Sequence, residues 1–495
     1  MEITVSKFNE VYLRIKTEPA IARELSEFFT FEVPNSRFMP SVRNRMWDGR
    51  IRLFSPATGK IYLGLLPYVE KLCKEQGYRI NYEDNPHYGS LKDTHDIPKE
   101  ATVNFVRGLK PKSGGKALKV RPYQFAAIHH VLVNNRSLLL SPTGSGKSFI
   151  IYALIRYYVH KLQDKKILLV VPTTGLVEQM YNDFADYGWF PDEHCHKLYA
   201  GSDKHTSKEV VISTWQSIYK LDRNYFKQFG AVFVDECHLA KAKSLTGIMT
   251  KLHDCKYRVG TTGTLDGTEI NQLVLEGLFA KSEEVTTTLK LVKEKYLSNL
   301  HIRCLVLRHT KENRRRRTYQ EEMDYLATSS SRNTFICKVA NTQEGNTLIL
   351  AQYIKQLQTL NLMLTGCTVT NPRPVFFVYG KTDAQEREDI RNIVEEEKSA
   401  TIVASYGVFS TGVNIKRLHN IIFASPYKSQ IKVLQSIGRG LRLAEDKTEC
   451  FLFDISDDMS YNNQSNFTLK HFEERIRIYS QQEFDYDIIP VKLKS

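Results

Sequence analysis

The chain has 495 residues and a formal charge of +14, from 69 Lys and Arg against 55 Asp and Glu. That length is too great for one hydrophobic core and predicts about three domains, while 42% hydrophobic and 11% aromatic residues exclude a wholly disordered chain. The charge excess favours a polyanionic partner, either a nucleic acid or an anionic membrane surface.

The sequence carries no signal for a membrane or for secretion. No apolar run approaches the ~20 residues that span a bilayer. The opening segment MEITVSKFNEVYLRIK is charged and lacks the apolar core of a signal peptide. The eight cysteines form no CxxC pair, a pattern typical of a reducing compartment. We therefore expect a soluble cytoplasmic protein with no membrane partner.

Residues 1–95 are predicted to form a small α/β accessory domain. The segments VYLRIK and RIRLF alternate as strands do, and AIARELSEFF and LLPYVEKLCKEQ have helical spacing. A polar segment at 81–98 with two prolines is the expected linker, and PKSGGK, just beyond it, is predicted to be flexible.

The rest of the chain is predicted to form two lobes in tandem. Short apolar runs bounded by turn residues recur from 121 to 278 and again from 297 to 454, which is typical of doubly wound parallel sheets. We place the lobes at 96–285 and 286–460, and a helical tail at 461–495. The runs are SLLLS, KILLVVP, VVIST, GAVFVDE and YRVGTTGT, then NTLILA, PVFFVYG, ATIVAS, NIIFAS and ECFLFD.

The segment SPTGSGKS, which begins at Ser141, has the composition of a phosphate-binding loop. It follows an apolar run and precedes a helical segment, so its backbone N–H groups can surround a phosphate at a helix N-terminus. We expect Lys147 to reach the β and γ phosphates of ATP and the Ser148 hydroxyl to coordinate Mg²⁺. The expected cradle consists of Pro142, Thr143, Gly144, Ser145, Gly146, Lys147 and Ser148.

An acidic pair follows the apolar run AVFV. In the sequence DECH, which begins at Asp235, we expect Asp235 to hold Mg²⁺ and Glu236 to polarise the attacking water as general base. A surface turn is the alternative, but four apolar residues running directly into two carboxylates fit it poorly. The loop and the acidic pair together predict ATP hydrolysis.

TGSGKS together with DECH resembles the DExH branch of superfamily 2 helicases, which implies two RecA-like lobes. The segment RPYQ, from Arg121 to Gln124, resembles the Q motif, in which Gln124 would read adenine. The segment Thr262-Gly263-Thr264 stands where the family has Ser-Ala-Thr, which implies coupling of nucleotide state to nucleic-acid binding. The resemblance also implies backbone contacts in motifs Ia and Ib from Pro172, Thr173, Thr174, Thr214 and Gln216.

The second lobe carries two further family motifs. The segment SYGVFSTGVN, at 405–414, resembles motif V, which implies nucleic-acid contacts for Ser410 and Thr411 and a place near the nucleotide for Gly412. The segment QSIGRGLR matches motif VI, QxxGRxxR. The resemblance implies catalytic roles for Gln435, Arg439 and Arg442, the two arginines as arginine fingers that stabilise transition-state charge. Their spacing predicts one helix face for both arginines.

A narrower resemblance covers nearly the whole chain. The segments WDGRIRL, TYQEE and ASYGVFSTG are similar to those of the UvsW-type helicases of T-even bacteriophages. That resemblance implies remodelling of branched DNA in recombination, repair and replication: fork regression, Holliday-junction branch migration and R-loop unwinding. It implies branched or forked DNA and an RNA–DNA hybrid as partners, and the host cytoplasm as the location. It implies nothing about protein partners.

Arginines and aromatic residues alternate between residues 36 and 60, with Asp48 as the single acid. This combination suits phosphate contacts and base stacking, so we expect DNA contacts from Arg43, Arg45, Trp47 and Arg50. The alternative is that Trp47 and Phe54 fill a small core while the arginines are solvated. The run Arg314–Arg317 is either a basic loop near the nucleic-acid channel or a solvated turn.

Three other functions remain open. A translocase that moves on duplex DNA without separating the strands shares every motif, and an RNA helicase keeps the ATP site. A non-hydrolysing annealing scaffold is the third, and the intact catalytic residues oppose it. Comparing ATPase stimulation by matched DNA and RNA would separate the first two.

Overall fold

The computed structural model describes residues 1–34, 36–91, 94–199, 201–239, 242–265, 268–366, 373–411, 415–425, 427, 429–444 and 446–493, with backbone only at 242, 243, 384 and 409–411. These residues form two compact units. The first unit is Met1–Ser141 with Gly146–Val285, and the second is Pro142–Ser145 with Thr286–Ser495.

The amino-terminal region of the first unit is a small α/β domain. Its main sheet has the order β5-β2-β1-β6, in which only β1 and β6 are parallel, and β3 pairs with β4. The elements are β1 (Glu2–Lys7), β2 (Tyr12–Lys16), α1 (Pro19–Phe28), β3 (Thr30–Glu32), α2 (Pro40–Arg43), β4 (Arg50–Arg52), β5 (Lys60–Tyr62), α3 (Leu66–Gln76) and β6 (Arg79–Glu83).

The rest of the first unit is built on a seven-stranded sheet in which every pair is parallel. The elements are α4 (Lys99–Gly108), β7 (Lys112–Ser113), β8 (Lys116–Ala117), α5 (Pro122–Asn134), β9 (Arg136–Leu140), α6 (Lys147–Lys161), β10 (Lys166–Val171), α7 (Thr174–Asp186), α8 (Pro191–His194), β11 (Cys195–Leu198), β12 (Val210–Thr214), α9 (Trp215–Ile218), α10 (Arg223–Phe226), β13 (Phe229–Val234), α11 (Ala242–Met249), β14 (Tyr257–Thr262), α12 (Glu269–Leu278) and β15 (Ser282–Glu284).

The second unit also has a seven-stranded, all-parallel sheet. The elements are α13 (Thr288–Lys293), β16 (Asn299–Arg308), α14 (Tyr319–Thr328), α15 (Ser330–Asn341), β17 (Thr347–Ala351), α16 (Ile354–Thr365), β18 (Val375–Val378), α17 (Ala384–Glu396), β19 (Thr401–Ser405), α18 (Tyr406–Thr411), β20 (Asn420–Phe423), α19 (Gln430–Gly440), β21 (Glu449–Asp458), α20 (Phe467–Gln481) and β22 (Tyr486–Lys492).

The two large sheets share one topology. Their orders are β11-β12-β10-β13-β14-β9-β15 and β18-β19-β17-β20-β21-β16-β22. Counted from the first strand of each sheet, both orders read 3-4-2-5-6-1-7. Every apolar run singled out in the sequence forms a strand, and the strands are buried along most of their length because helices cover both faces. The predicted pair of doubly wound lobes is confirmed.

The amino-terminal domain shares a core with the first lobe. Its hydrophobic cluster reaches Leu273 of α12, and Tyr68 of α3 donates a hydrogen bond to the carboxylate of Glu276. Gly64 lies against the same helix, because a Cβ there would lie 2.0 Å from the Glu276 carbonyl oxygen. Arg136 of β9 donates to the Glu10 carbonyl oxygen at 2.8 Å. The small domain is therefore packed firmly onto its lobe.

Two segments differ from the sequence expectation. PKSGGK, expected to be flexible, forms the β7–β8 hairpin, because Gly114 and Gly115 both adopt the positive φ that a two-residue hairpin turn requires. The carboxyl-terminal tail contains the expected helix α20 but continues into β22, which pairs with β16. Pro490 argues against a strand in the sequence, yet an edge strand tolerates proline. Across the described ranges, no helix is long and apolar enough to cross a membrane.

Candidate active site

The nucleotide-binding candidates lie at the carboxyl edge of the first large sheet. The P-loop follows β9, the segment Thr262–Thr264 follows β14, and the acidic pair follows β13; these three strands are neighbours. The backbone N–H of Ser141 donates to the Thr262 carbonyl oxygen at 2.8 Å. Parallel α/β sheets bind their ligands at this edge, so the topology collects the three motifs in one place.

Lys147 lies between the P-loop backbone and the acidic pair. Its Nζ donates to the Ser141 carbonyl oxygen at 3.1 Å and lies 3.3 Å from Glu236 Oε1. Gly144 and Gly146 adopt φ of +84° and +82°, which residues with a Cβ rarely reach, and helix α6 begins at Lys147 itself. The structure thus brings together the predicted phosphate-binding lysine and the predicted general base.

Asp235 is buried, with 5% of its surface exposed. Burial is the main reason that its pKa is raised to about 6, and the neighbouring Glu236 charge raises it further. Lys147 and a 2.7 Å hydrogen bond donated by Thr261 Oγ1 act in the opposite direction. Two adjacent carboxylates in a buried position form a site where additional positive charge is favourable.

Glu236 has a backbone φ of +46°, which is uncommon for a residue with a long side chain. Such strain persists only where the surrounding structure enforces it. His238 Nδ1 lies 3.4 Å from Glu236 Oε2 and 2.5 Å from Thr262 Oγ1. This imidazole therefore connects the acidic pair to the segment after β14. Sequence reasoning missed His238 as a site residue, although it ends the DECH motif.

Gln124 is buried beside the P-loop. Its Oε1 accepts a hydrogen bond from the Arg121 backbone N–H at 2.9 Å, which fixes the start of α5. A Cβ on Gly146 would lie 2.4 Å from Gln124 Nε2, so the glycine permits close approach of the amide to the loop. The Arg121 guanidinium donates to Tyr123 Oη at 2.6 Å. The Q-motif residues thus adjoin the phosphate loop, and adenine recognition by Gln124 stays a prediction.

Ser148, the predicted metal ligand, has an aromatic neighbour that the sequence did not reveal. Its Oγ lies 2.8 Å from Tyr187 Oη, and the Tyr187 ring packs edge-on against Phe149 at 5.5 Å between centroids. Tyr187 follows α7, far from the P-loop in sequence. Only the tertiary structure brings it to this site.

The predicted backbone-contact residues lie at the end of β12 or just after β10 and β12, at the same edge of the sheet. Thr173 is the N-cap of α7, with its hydroxyl accepting from Leu176 N at 3.3 Å, and Thr174 is the first helical residue. Gln216 Nε2 donates to the Pro172 carbonyl oxygen at 3.3 Å, which links motifs Ia and Ib. Thr214 is buried, and its Oγ1 lies 2.9 Å from Ser217 Oγ.

The motif VI residues lie in the second unit, on and after α19. Gln435 is buried and Arg439 belongs to the last turn of the helix, which ends at Gly440. Arg442 lies beyond that end, so the expectation that both arginines share one helix face is wrong. Of the motif V residues, Gly412 lies outside the described residues, and Ser410 and Thr411 are described by backbone alone, in α18.

The predicted DNA-contact residues of the accessory domain are mostly at its surface. Arg43, Arg45 and Arg50 are exposed. Trp47 is half-buried, and its Nε1 donates to the Arg50 carbonyl oxygen at 3.0 Å. The core interpretation holds for Phe54, which is fully buried. The exposed arginines agree with that interpretation as well as with DNA contacts, so the DNA contacts stay a prediction.

Within the described ranges, no group of three or more His, Cys, Asp or Glu side chains is placed to hold a metal ion. Mg²⁺ needs no such cage, because one or two carboxylates and the substrate phosphates are its usual ligands. The buried Asp235 carboxylate and the Ser148 hydroxyl supply oxygen ligands of the kind Mg²⁺ prefers.

Three family profiles match successive parts of the chain. Residues 2–83 match "DNA helicase UvsW, N-terminal", residues 117–267 match "Type III restriction enzyme, res subunit", and residues 331–444 match "Helicase conserved C-terminal domain".

Individual proteins that resemble this chain are also helicases and translocases. The chain is similar to the ATP-dependent DNA helicase uvsW of Enterobacteria phage T4, with 32% identity over 513 aligned positions that cover 100% of both chains. The crystal structure of T4 UvsW matches over 100% of both chains with a TM-score of 0.54. The DNA 3'-5' translocase XPB2 of Sulfurisphaera tokodaii is 24% identical over 79% of this chain and 92% of its own length.

Proposed function

This chain belongs to the UvsW family of ATP-dependent DNA helicases, and we propose that it uses ATP hydrolysis to remodel branched DNA. The remodelling reactions we propose are fork regression, Holliday-junction branch migration and R-loop unwinding. The observation that supports ATP hydrolysis is the contact of Lys147 with Glu236 at the same sheet edge as the His238–Thr262 hydrogen bond. The residues proposed for phosphate binding and for water activation adjoin the segment Thr262–Thr264 there. Membership of the UvsW family supports branched DNA as the substrate.

The P-loop backbone and Lys147, the first residue of α6, are proposed to bind the phosphates of ATP. Backbone N–H groups at a helix N-terminus favour an anion. Asp235 and Ser148 would hold Mg²⁺, which when bound neutralises charge that develops on the phosphates. The two adjacent carboxylates fit that cation because burial and the charge of Glu236 make the ionised form of Asp235 unfavourable by itself.

Glu236 is the proposed general base. Its carboxylate contacts Lys147 at 3.3 Å and His238 at 3.4 Å, so both neighbours restrain its orientation. A base must be held within hydrogen-bond reach of the attacking water. His238 in turn contacts Thr262, which gives the base a direct route to the segment proposed to sense nucleic acid. We propose that Arg439, and in support Gln435 and Arg442, stabilise the transition-state charge on the γ phosphate.

DNA contacts are proposed at two places in the first unit. The segments after β10 and β12 would follow the sugar-phosphate backbone, as motifs Ia and Ib. The accessory domain would add Arg43, Arg45, Arg50 and Trp47. Because this domain shares its core with the first lobe, its DNA-contact residues would move together with that lobe.

The test is the steady-state ATPase rate of the full chain at fixed salt with no nucleic acid, single-stranded DNA, linear duplex, a synthetic four-way junction and matched RNA. We expect the strongest stimulation from the junction. Equal stimulation by linear duplex indicates a duplex translocase, and equal stimulation by RNA indicates an RNA helicase; either result rejects the branched-DNA proposal. Asp235→Asn serves as the control for contaminating ATPase.

A further inference from the structure

The second unit contains a basic pocket of about 710 Å³ that the helicase motifs do not include. It is enclosed by the segment that follows β16 and the segment that follows β21, two adjacent strands. The lining side chains carry four positive charges and no carboxylate. They are Arg315, Arg316, Arg317, Met459, Tyr461, Asn462, Gln464, Ser465, Asn466, Phe467 and Lys470.

The arginine run in this pocket is anchored at both ends. Arg314 Nε donates to the His309 carbonyl oxygen at 3.0 Å, and Arg317 donates to the Asn313 carbonyl oxygen at 2.7 Å with its guanidinium 4.4 Å from the Tyr325 ring centroid. Arg315 and Arg316, between the anchors, are exposed and have no hydrogen-bond or ion-pair partner among the described residues.

The pocket is electropositive, because its lining has three arginines and one lysine and no acidic side chain. Burial lowers the pKa of Arg317, and the charge of Arg315 lowers it further. The nearest acids already have partners. Glu321 accepts from Thr318 in a capping box, and the buried Glu322 carboxylate accepts from the N–H groups of Phe467 at 3.1 Å and Thr468 at 2.7 Å. The N-terminus of α20 is thus already capped, and the positive charge that remains is on side chains.

Aromatic rings stand at the mouth of the pocket. Tyr461 is 46% exposed and Phe467 is 40% exposed. Tyr461 pairs with Gln464 across a two-residue turn whose residues, Asn462 and Asn463, both adopt positive φ, of +47° and +59°. This backbone geometry is typical of a tight hairpin turn, so the fold defines the backbone position of Tyr461.

The two large sheets share one topology, so the position of this pocket can be compared with the P-loop edge of the first sheet. In the first sheet, the P-loop follows strand 1 and the segment Thr262–Thr264 follows strand 6. In the second sheet, the pocket is formed by the segments after strands 1 and 6, which are β16 and β21. The pocket is the counterpart in the second lobe of the phosphate-binding edge in the first, where α/β sheets bind ligands.

We propose that this pocket binds an unpaired strand of DNA, with phosphates on Arg315, Arg316 and Lys470 and a base stacked on Tyr461 or Phe467. Exposed aromatic rings favour a strand whose bases are free to stack, because duplex DNA offers mainly its backbone to such a surface. The proposal rests on the proposed function, in that the strand would come from DNA that the motor opens.

The test is the affinity of the full chain for a fluorescent oligo-dT strand, measured by anisotropy over a series of salt concentrations. For Arg315→Ala/Arg316→Ala we expect weaker binding and a log–log salt slope smaller by about 1.4, at ~0.7 per lost phosphate contact. For Tyr461→Ala we expect about tenfold weaker binding with the salt slope kept, and Tyr461→Phe should restore the affinity because the ring can still stack. The control Lys338→Ala/Lys398→Ala removes two exposed charges outside the pocket and should leave the affinity unchanged.

Wild-type affinity and salt slope in the double arginine variant overturn the proposal. The proposal is also overturned if dTMP displaces the labelled strand at the same concentration as unlabelled oligo-dT. That result would identify a free nucleotide as the ligand. A third result also overturns the proposal: poly-glutamate displaces the labelled strand equally well from wild type and from Tyr461→Ala. That result would identify an acidic polypeptide as the ligand. Failure of the proposed function looks different, because it would appear in the wild-type ATPase rates, as stimulation by linear duplex or RNA that equals stimulation by the junction.

Discussion

His238 Nδ1 lies 2.5 Å from Thr262 Oγ1, so the last residue of the DECH motif contacts the end of the neighbouring strand β14. The same imidazole lies 3.4 Å from the carboxylate of Glu236. Thr262 Oγ1 also donates to the Thr264 carbonyl oxygen at 2.9 Å. One imidazole therefore connects Glu236, the proposed general base, with the Thr262–Thr264 segment, and we propose that it passes a displacement of the carboxylate to that segment.

We expect His238→Ala and Thr262→Val to reduce the DNA-stimulated ATPase rate about tenfold each, which corresponds to the loss of one hydrogen bond. The rate without DNA should fall less, because Lys147 still contacts Glu236. The double variant should lose no more than either single variant, since both remove the same contact. Thr250→Val, which removes a hydroxyl of the same unit outside the site, is the control. Additive losses in the double variant would show that the contact does not couple the two segments.

Lys147→Ala and Arg439→Ala should both abolish hydrolysis for different reasons. The lysine variant should lose ATP affinity, because Lys147 is the cation of the phosphate loop. The arginine variant should bind ATP almost normally and lose about 10³- to 10⁵-fold in the chemical step. Equilibrium binding of a fluorescent ATP analogue and single-turnover hydrolysis separate the two cases. Normal turnover by Arg439→Ala would exclude the arginine-finger role.

Gly64→Ala should loosen the accessory domain from the first lobe. The new Cβ would lie 2.0 Å from the backbone oxygen of Glu276, and such overpacking typically costs about 1–3 kcal/mol. All three tryptophans, Trp47, Trp189 and Trp215, belong to the first unit, so denaturant unfolding followed by tryptophan fluorescence reports on it.

Gly108→Ala is the matched control for this test. Nothing lies within 4 Å of its added Cβ, so the change in a helix should be neutral or stabilising by up to about 1 kcal/mol. Equal stabilities for the two variants would contradict the close packing of the domain on α12.

The stability of the second unit should fall in acid through Asp457. Burial raises the pKa of this carboxyl, but the charge of Arg332 and hydrogen bonds from His309 and Arg332 outweigh burial and lower the pKa to about 2. Because the folded-state pKa lies below the ordinary value of 3.8, the ionised carboxylate stabilises the folded unit at pH values above 3.8. This stabilisation, on the order of 2 kcal/mol, is lost as the pH falls toward 2.

Hydrogen exchange of the β21 amides, corrected for intrinsic rates, measures this loss between pH 5 and 2, a window set by that shift. Asp457→Asn should be less stable at neutral pH by about 3–5 kcal/mol, because Arg332 is left as an unpaired buried charge. It should also lose the acid slope. An unchanged slope in that variant would assign the acid sensitivity to other groups.

Much of the fold could be predicted from local sequence. Buried parallel strands are continuous apolar runs, so GAVFVDE and ECFLFD identify themselves, and the acidic pair is visible because it follows such a run. Strand β22 could not be predicted in this way, since Pro490 opposes it and its partner β16 is distant in sequence. The end of α19 at Gly440, before Arg442, likewise could not be predicted from the spacing of the arginines.

The parts of the candidate site whose residues are close in sequence were predicted. The parts that depend on tertiary contacts between residues distant in sequence were missed. The P-loop and DECH are local patterns. The contact of Tyr187 with Ser148 and that of His238 with Thr262 depend on how helices and neighbouring strands meet. The basic pocket of the second unit is intermediate: its arginine run is visible in the sequence, but the aromatic rings that complete it follow a different strand.

The most direct test of the account is the remodelling of a fluorescently labelled synthetic four-way junction by the full chain with ATP and Mg²⁺, next to a linear duplex of matched sequence. We expect ATP-dependent conversion of the junction at a rate well above strand separation of the duplex, and no conversion by Glu236→Gln, which keeps the shape of the side chain and removes the base. Equal rates on junction and duplex, or conversion by Glu236→Gln, would contradict an ATP-driven remodeller of branched DNA.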